Sequence, residues 1–526
     1  MSNTASSLYS QLEGHRETYL RRARDSSELT IPTLVPPAGN SNATNYITPY
    51  QGVGARGVNN ISAKLLLALF PPNAPFFRLM IDPYKLKQLG GDEGLKTELE
   101  KALGDIERAV MKEIEAQALR VPIFEAVKHL IVSGNALLYF PEEGGMRVFK
   151  LSNYVIKRDS FGNVLTIITK ESIAYAALPE EAKALVNKSK SEKDKDEYEY
   201  SGMSVEDEID LFTCVKLVDG KWEVHQEING ELVPGSEGYY TKDKNPFIPL
   251  RYSRVDNEDY GRGLVEEYLG DLRSLEGLTK AVVEGSAAAS KVLFLVDPTG
   301  TTKAKQLAEA RNGQFVPGRV TDVNCLQLQK YGDFRVAKEV MIEIQQRLSF
   351  AFLLNTAIQR DAERVTAQEI RYMAQELETA LGGAYSILSQ EFQLPLVLRI
   401  MDRMSRKGKL PKMPKGDLVR PVVVTGVEAL GRGNDLTRLD LFLTGLAQMF
   451  GPEAVAQFIN IPDYLRRRAT SLGIETEGLI KAEDQLQNEA QMQMGQQMAE
   501  KLGPQAIKSY SDAAVAQQET MNNQGG

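Results

Sequence analysis

Residues 349–383, SFAFLLNTAIQRDAERVTAQEIRYMAQELETALGG, constrain the fold more than any other stretch of this chain. An apolar helix runs into Leu354, a polar and charged loop follows from Asn355 to Val365, and a new helix starts abruptly at Thr366. Thr366 and Glu369 make a capping box. The threonine hydroxyl accepts from the backbone N–H three residues on, and the Glu369 carboxylate reaches back to the Thr366 amide. A loop carrying Gln359, Arg360 and Arg364 between two such helices is held in a defined place, which makes its two arginines the best candidates for a phosphate contact.

Two further helical patterns enclose a compact insert. Residues 262–290 space Gly263, Gly270 and Gly277 seven apart, and residues 333–354 place Ala337, Met341, Ile344, Leu348 and Ala351 on one face. An interior glycine costs a helix about 1 kcal/mol relative to alanine, so three nearly in line read either as a frayed or broken helix or as tight packing against a neighbouring backbone, within the chain or on another copy of it. Between them, 291–330 reads as strand (Val292 to Val296), Pro-Thr-Gly-Thr turn, short helix (Lys303 to Arg311) and strand (Cys325 to Leu328). Its basic residues Lys303, Lys305, Arg311 and Arg319, like Arg466, Arg467 and Arg468 further on, are either ordinary surface charge or partners for another subunit or for phosphate.

The rest of the pattern is mixed. Helices are expected over 5–24, 58–70 (Val58, Ile61, Leu65 and Leu69 on one face) and from Leu95 to Ile114, with a strand from Phe76 to Ile81. From about Ala136 to Val255 short strands alternate with turn signals, including Phe161-Gly162-Asn163 and Asp219-Gly220. The charge-rich run 187–208 reads as a solvated loop. Gly382-Gly383 and Pro395 mark kinks in a long helical stretch, a strand is expected from Pro421 to Thr425, and helices continue to about Leu502. The segment 485–498 is rich in Gln and Met, and the last twenty or so residues read as disordered.

At 526 residues the chain should form about three or four structural units. Sixty-two basic against 70 acidic residues give a net charge of −8, which argues against a reader of DNA sequence with one large basic face and does not exclude a protein that DNA merely slides past. Cys214 and Cys325 lie too far apart for a disulfide framework or a zinc pattern, so a reducing, intracellular folding environment is expected. The N-terminus has no apolar signal core, and no apolar run approaches the ~20 residues that cross a bilayer, so no membrane insertion is expected. Gly52-Val-Gly54-Ala-Arg-Gly57 matches a dinucleotide pattern but follows a proline-bearing polar segment rather than a buried strand, and reads as a turn into the next helix. There is no G-x-x-x-x-G-K-[ST] loop, G-x-S-x-G elbow or H-E-x-x-H pair. Of the three histidines, His129 sits in an apolar helix as a core residue. No catalytic residue, metal site or cofactor is expected.

The runs GARGVNNISAKLLLALFP (54–71), YGRGLVEEYLGDLRSLE (260–276) and 348–397 together resemble the portal, or head-to-tail connector, proteins of short-tailed phages in the Autographiviridae, in order over roughly residues 8–500. The resemblance implies an α+β, mainly helical, multi-domain portal fold that assembles into a ring, usually of twelve copies, at one capsid vertex. It implies a wing over 1–260 and 366–429, stem helices over 261–290 and 331–354 with Gly263, Gly270 and Gly277 packing neighbouring stems, and a clip over 291–330. It further implies a tunnel loop over 355–365, a helical crown over 430–505 and a flexible tail over 506–526. Double-stranded DNA would pass through the channel on packaging and ejection. The terminase large subunit would dock on the clip, followed by tail adaptor and nozzle proteins. Scaffold, major capsid protein and internal core (ejection) proteins are the other implied partners. A ring-forming tail adaptor without a channel role is the alternative.

Overall fold

The computed structural model describes residues 4–39, 45–71, 76–81, 93–193, 208–289, 293–326, 331–354, 381, 383–410, 419–423, 431–451, 459, 461, 464–465 and 468. The chain divides after Ala429 into two compact units. In the first, helices α1 (Ala5–Glu28) and α2 (Val53–Leu69) precede strand β1 (Phe77–Ile81), and α3 (Glu93–Ala116) and α4 (Arg120–Ser133) follow. Strands β2 (Asn135–Tyr139), β3 (Arg147–Phe149), β4 (Tyr154–Arg158) and β5 (Val164–Ala174) lead to α5 (Glu180–Lys193). Then come β6 (Glu208–Val218), β7 (Lys221–Ile228), β8 (Glu231–Leu232), β9 (Gly238–Thr241) and β10 (Phe247–Arg251).

Strands β4 to β8 form one antiparallel sheet, with β9 also paired to β7, and β10, β2 and β3 form a second sheet. Strands β4 to β7 carry apolar residues on both faces, and α1 packs against both sets: Tyr9 with Val155, Ile168 and Cys214, and Leu20 and Ala23 with Tyr154, Ile156, Ile167 and Trp222. Arg16 pins the helix from within. Its guanidinium, 2% exposed, donates to the Ser152 and Tyr154 carbonyls at 2.9 and 3.0 Å and to the Tyr9 hydroxyl at 2.8 Å. Burial raises the Cys214 thiol to about 11, so it stays an unreactive core thiol.

The chain continues through α6 (Leu264–Glu267), α7 (Leu269–Ala289), β11 (Leu293–Val296), α8 (Ala304–Glu309), β12 (Val323–Leu326) and α9 (Tyr331–Ala351). After residue 380 come α10 (Gly383–Leu388), a π-helical turn (Ser389–Gln393), α11 (Leu394–Arg406) and β13 (Val419–Val423), which pairs antiparallel with β1. The largest core joins α2, α3, α4, α6, α7, α9, α10 and α11. The second unit contains α12 (Gly431–Phe450), where the Tyr464 hydroxyl bonds Asp440 and Arg468.

Three expectations are corrected and one, the kink at Pro395, is given its form. Helix α2 starts at Val53, so Gly54 and Gly57 lie inside it rather than in a turn before it. The run expected as a loop from 187 is helical to Lys193, because Ala182 and Val186 bury against Leu211, Ile228 and Val233 and carry the helix onward. The bend near Pro395 takes the form of a π turn. Proline has no N–H to give and its ring clashes with the carbonyl four residues back, that of Glu391, and the wider turn accommodates both. The stretch 262–290 is not one helix, since α6 ends before Tyr268 and α7 begins at Leu269. The Gln- and Met-rich segment 485–498 and the C-terminal tail lie outside the described residues.

His129 is fully buried in α4, and neither ring nitrogen has a hydrogen-bond partner among the described residues. Burial, with the charge of Lys150 second, lowers its pKa from 6.5 to about 4. The folded chain therefore holds a neutral imidazole where the unfolded chain takes a proton. Stability is full above pH 6.5 and falls as pH drops from 6.5 toward 4, by about 3 kcal/mol over that span. Urea unfolding at pH 7.5 and pH 5 should show this loss in the parent chain and a clearly smaller one in His129→Leu.

Candidate functional site

The segment from 261 to 354 is a helical hairpin with a small tip. Helices α7 and α9 run antiparallel: Arg347 meets Asp271 at 2.9 Å near one end, and Phe334 lies against Gly285 near the other. A Cβ on Gly285 would come within 2.8 Å of the Phe334 ring, so glycine is what lets the aromatic seat there. At the base, Leu272, Leu275, Ile344, Leu348 and Phe352 bury into the main core. Away from the core, Val283, Val336, Val340, Ile342 and Phe350 stand 41–76% exposed, an apolar set that one chain alone does not cover.

The base is clamped by α2. Asn60 Nδ2 donates to the carbonyls of Phe352 and Leu353 at 3.0 and 2.9 Å, and Lys64 Nζ donates to Leu353 at 3.0 Å. These side chains take up carbonyls that the end of α9 leaves open. Leu353 itself adopts φ +51, so the chain turns sharply just before residue 355. Phe352 can approach α2 only because Gly57 has no side chain, and Gly54 does the same for the Leu29 carbonyl. Gly54 and Gly57 thus serve helix packing, and among the described residues no strand precedes them as a dinucleotide site requires.

The tip is the antiparallel pair β11–β12 carrying the loop 297–322. Asp322 knots this loop. One carboxylate oxygen accepts from the Thr301 and Thr302 amides at 2.9 and 3.1 Å and from both hydroxyls at 3.1 and 3.0 Å. Burial works to raise its pKa, but the bonds from Thr302 and Thr301 outweigh it and hold the carboxyl below its usual range. The Thr302 hydroxyl in turn accepts from the Arg319 amide at 3.0 Å, which fixes the Arg319 backbone against Thr302. Lys303, Lys305, Arg311 and Arg319 are all exposed, with Lys305 4.0 Å from Glu309. Phe315 and Val320 are 100% and 94% exposed.

The family described as bacteriophage head to tail connecting protein matches residues 2–480. The chain belongs to that family. This connector is 43% identical over 528 residues to the portal protein of Escherichia phage T7, covering 97% of this chain and 96% of that one. It is 43% identical to the portal protein of Enterobacteria phage T3, over 92% and 89% of the two chains, and 32% identical to that of Enterobacteria phage SP6, over 98% and 94%.

Within the connector, Gln359, Arg360, Arg364, Thr366 and Glu369 lie outside the described residues. Gly263 does mark a close backbone approach, but the approach is to its own chain. A Cβ there would lie 2.7 and 2.8 Å from the Ile131 and Val132 carbonyls of α4, so the absence of a side chain at Gly263 is already accounted for within one chain. Gly270 and Gly277 lie on α7 with no atom within 4 Å of the Cβ each lacks. Sequence reasoning did not single out Asn60, Lys64, Asp322 or Phe315. A lysine on the apolar face of α2, one turn after Ile61, is the one signal that pointed to a buried role. No helix among the described residues is long and apolar enough to cross a membrane.

Proposed function

We propose that this connector is the subunit of a portal ring, usually twelve copies at one capsid vertex, through which double-stranded DNA is packaged and later ejected. The single observation that carries the reading is the α7–α9 hairpin. Its outer apolar residues are uncovered in one chain while its base is fixed by Asn60, Lys64 and Phe352, which suits a rigid strut packed against identical struts. In this reading the hairpin is the stem, 291–330 the clip, 1–260 and 366–429 the wing, 355–365 the tunnel loop and 430–505 the crown. The clip receives the terminase large subunit, which supplies the ATPase motif this sequence lacks, and afterwards the tail adaptor and nozzle proteins. Exposed Lys303, Lys305, Arg311 and Arg319 provide its charge and Phe315 its apolar anchor. Scaffold, major capsid and internal core proteins meet the remaining surfaces. Electron microscopy of the purified chain tests the proposal: a ring with a central hole wide enough for duplex DNA is expected, and a compact monomer would overturn it.

Two variants refine it. Gly270 and Gly277 have open space in one chain, so alanine at both should stabilise an isolated subunit by about 2 kcal/mol through helix propensity. If neighbouring stems close on that face, the same pair lowers the ring fraction in native mass spectrometry. Unchanged ring yield with raised stability would remove these glycines from the interface. In the loop, one arginine per subunit becomes a ring of charges whose weak, salt-screened phosphate contacts add up. Arg360→Ala and Arg364→Ala are expected to leave ring assembly intact and reduce the yield of DNA-filled particles. Normal yields from both would exclude the loop from DNA handling.

A further inference from the structure

Helix α2 does more than clamp the end of α9. Gly57, Asn60 and Lys64 fall on one stripe of it, three and four residues apart. That stripe seats Phe352 and takes the carbonyls of Phe352 and Leu353. One turn on, the Ala68 carbonyl accepts from the Tyr385 hydroxyl of α10 at 3.1 Å, and the Leu69 carbonyl accepts from the Gln393 amide of the π turn at 2.5 Å. Both carbonyls belong to the last turn of α2, where helical partners run out. The same helix therefore holds the chain where it departs after Leu353 and again where it returns from Gly383 onward. Asn60 and Leu69 stand about 14 Å apart along the helix, at 1.5 Å per residue, so one short rod fixes both ends.

The hold is polar where apolar packing would have joined the helices as well. Lys64, Tyr385 and Gln393 are buried, and a buried polar group is costly unless it is bonded. Each reaches a backbone carbonyl rather than another side chain, which fixes the position of the main chain itself. Lys64 also brings a cation to the last carbonyls of α9, at the negative end of that helix. The rod is held in turn. Glu276 of α7 accepts from the Tyr50 and Gln51 amides at 3.0 and 3.1 Å, and the Gln51 side chain donates to the Leu29 carbonyl at 2.7 Å and accepts from the Gly54 amide at 2.9 Å.

We infer that α2 positions the stretch between Leu354 and Leu381, with Asn60 and Lys64 as positioning residues at its departure and Tyr385 and Gln393 at its return. The purpose of that hold rests on the portal reading, in which the stretch carries Arg360 and Arg364 to DNA. An arginine serves a phosphate well only from a backbone that is kept in place.

The test uses the full-length protein and two readouts. Asn60→Ala, at a half-buried position, and Tyr385→Phe, which removes one hydroxyl, each delete the bonds of one anchor. Ile167→Val in the sheet core is the control, since it lowers stability comparably without touching α2. Hydrogen exchange should quicken about two- to tenfold at 349–354 in Asn60→Ala and at 383–388 in Tyr385→Phe, the worth of one or two such bonds, and at neither place in Ile167→Val. Both anchor variants should form rings at the parental yield and lose DNA-filled particles, while Ile167→Val keeps them. Unchanged exchange at both ends, or filled-particle yields that follow Ile167→Val, overturns the positioning role. A parent chain that forms no ring overturns the portal reading instead, and the exchange measurement then still decides whether α2 holds the two ends.

Discussion

Gly57→Ala is expected to destabilise the connector by about 2 kcal/mol, although alanine is the better helix former by about 1 kcal/mol. The added methyl would lie 2.7 Å from Phe352 Cδ2 and 2.8 Å from its Cβ. Phe352 cannot swing away. It is fully buried, its ring sits against Tyr268, and its carbonyl is held by Asn60. The clash is therefore relieved only by pushing the end of α9 off α2, which also stretches the bonds from Asn60 and Lys64 to Leu353. Gly104→Ala is the matched control, because a Cβ at that helical position meets nothing within 4 Å and should add up to about 1 kcal/mol. Urea unfolding of both variants checks the pair. If Gly57→Ala is as stable as the parent, α2 does not set the base of the hairpin. If the hairpin is the stem, ring yield should fall with Gly57→Ala in step with stability.

The same glycine shows where sequence reasoning stops. The pattern at 52–57 is ambiguous from the chain alone, because glycine permits turns, phosphate loops and close helix packing alike. What decides is Phe352, almost three hundred residues away. Local signals served well wherever they decided the outcome: the apolar stripe of 58–69, the two long helices around a β-containing insert, and His129 as a core residue. They failed where a distant partner decides. Gly263 looked like one of a helical line but serves the crossing of α4 by the chain before α6. Residues 187–193 looked too charged to order, yet Ala182 and Val186 anchor their helix to the sheet. Arg16 and Arg403 drew no reading from the sequence and are buried, since nothing nearby in sequence reveals the carbonyls or rings that enclose them.

Glu391→Ala is expected to cost about 3 kcal/mol or more, because it strands a buried cation. Arg251, 2% exposed on β10, pairs with Glu391 in the π turn through Nε–Oε2 at 3.3 Å and through Nη2–Oε1. Arg158, equally enclosed, lies close by, and its pKa falls to about 10 through burial first and the charge of Arg251 second. Arg158 already has the Asp259, Gly162 and Pro249 carbonyls, whereas Arg251 has no second carboxylate among the described residues. Removing one partner of such a pair costs about 3–5 kcal/mol, while replacing both with apolar groups of similar size is often nearly neutral. Arg251→Met combined with Glu391→Met should therefore recover most of the loss, a coupling that a double-mutant cycle reads directly. Glu391→Gln, which keeps an acceptor without the charge, should fall between the parent and alanine. The pair also ties the π turn to β10, so hydrogen exchange in 383–406 should quicken in Glu391→Ala and slow again in the double variant. A double variant no more stable than Glu391→Ala would mean that Glu391 acts through the shape of the turn rather than through the buried charge, and the electrostatic account would fail.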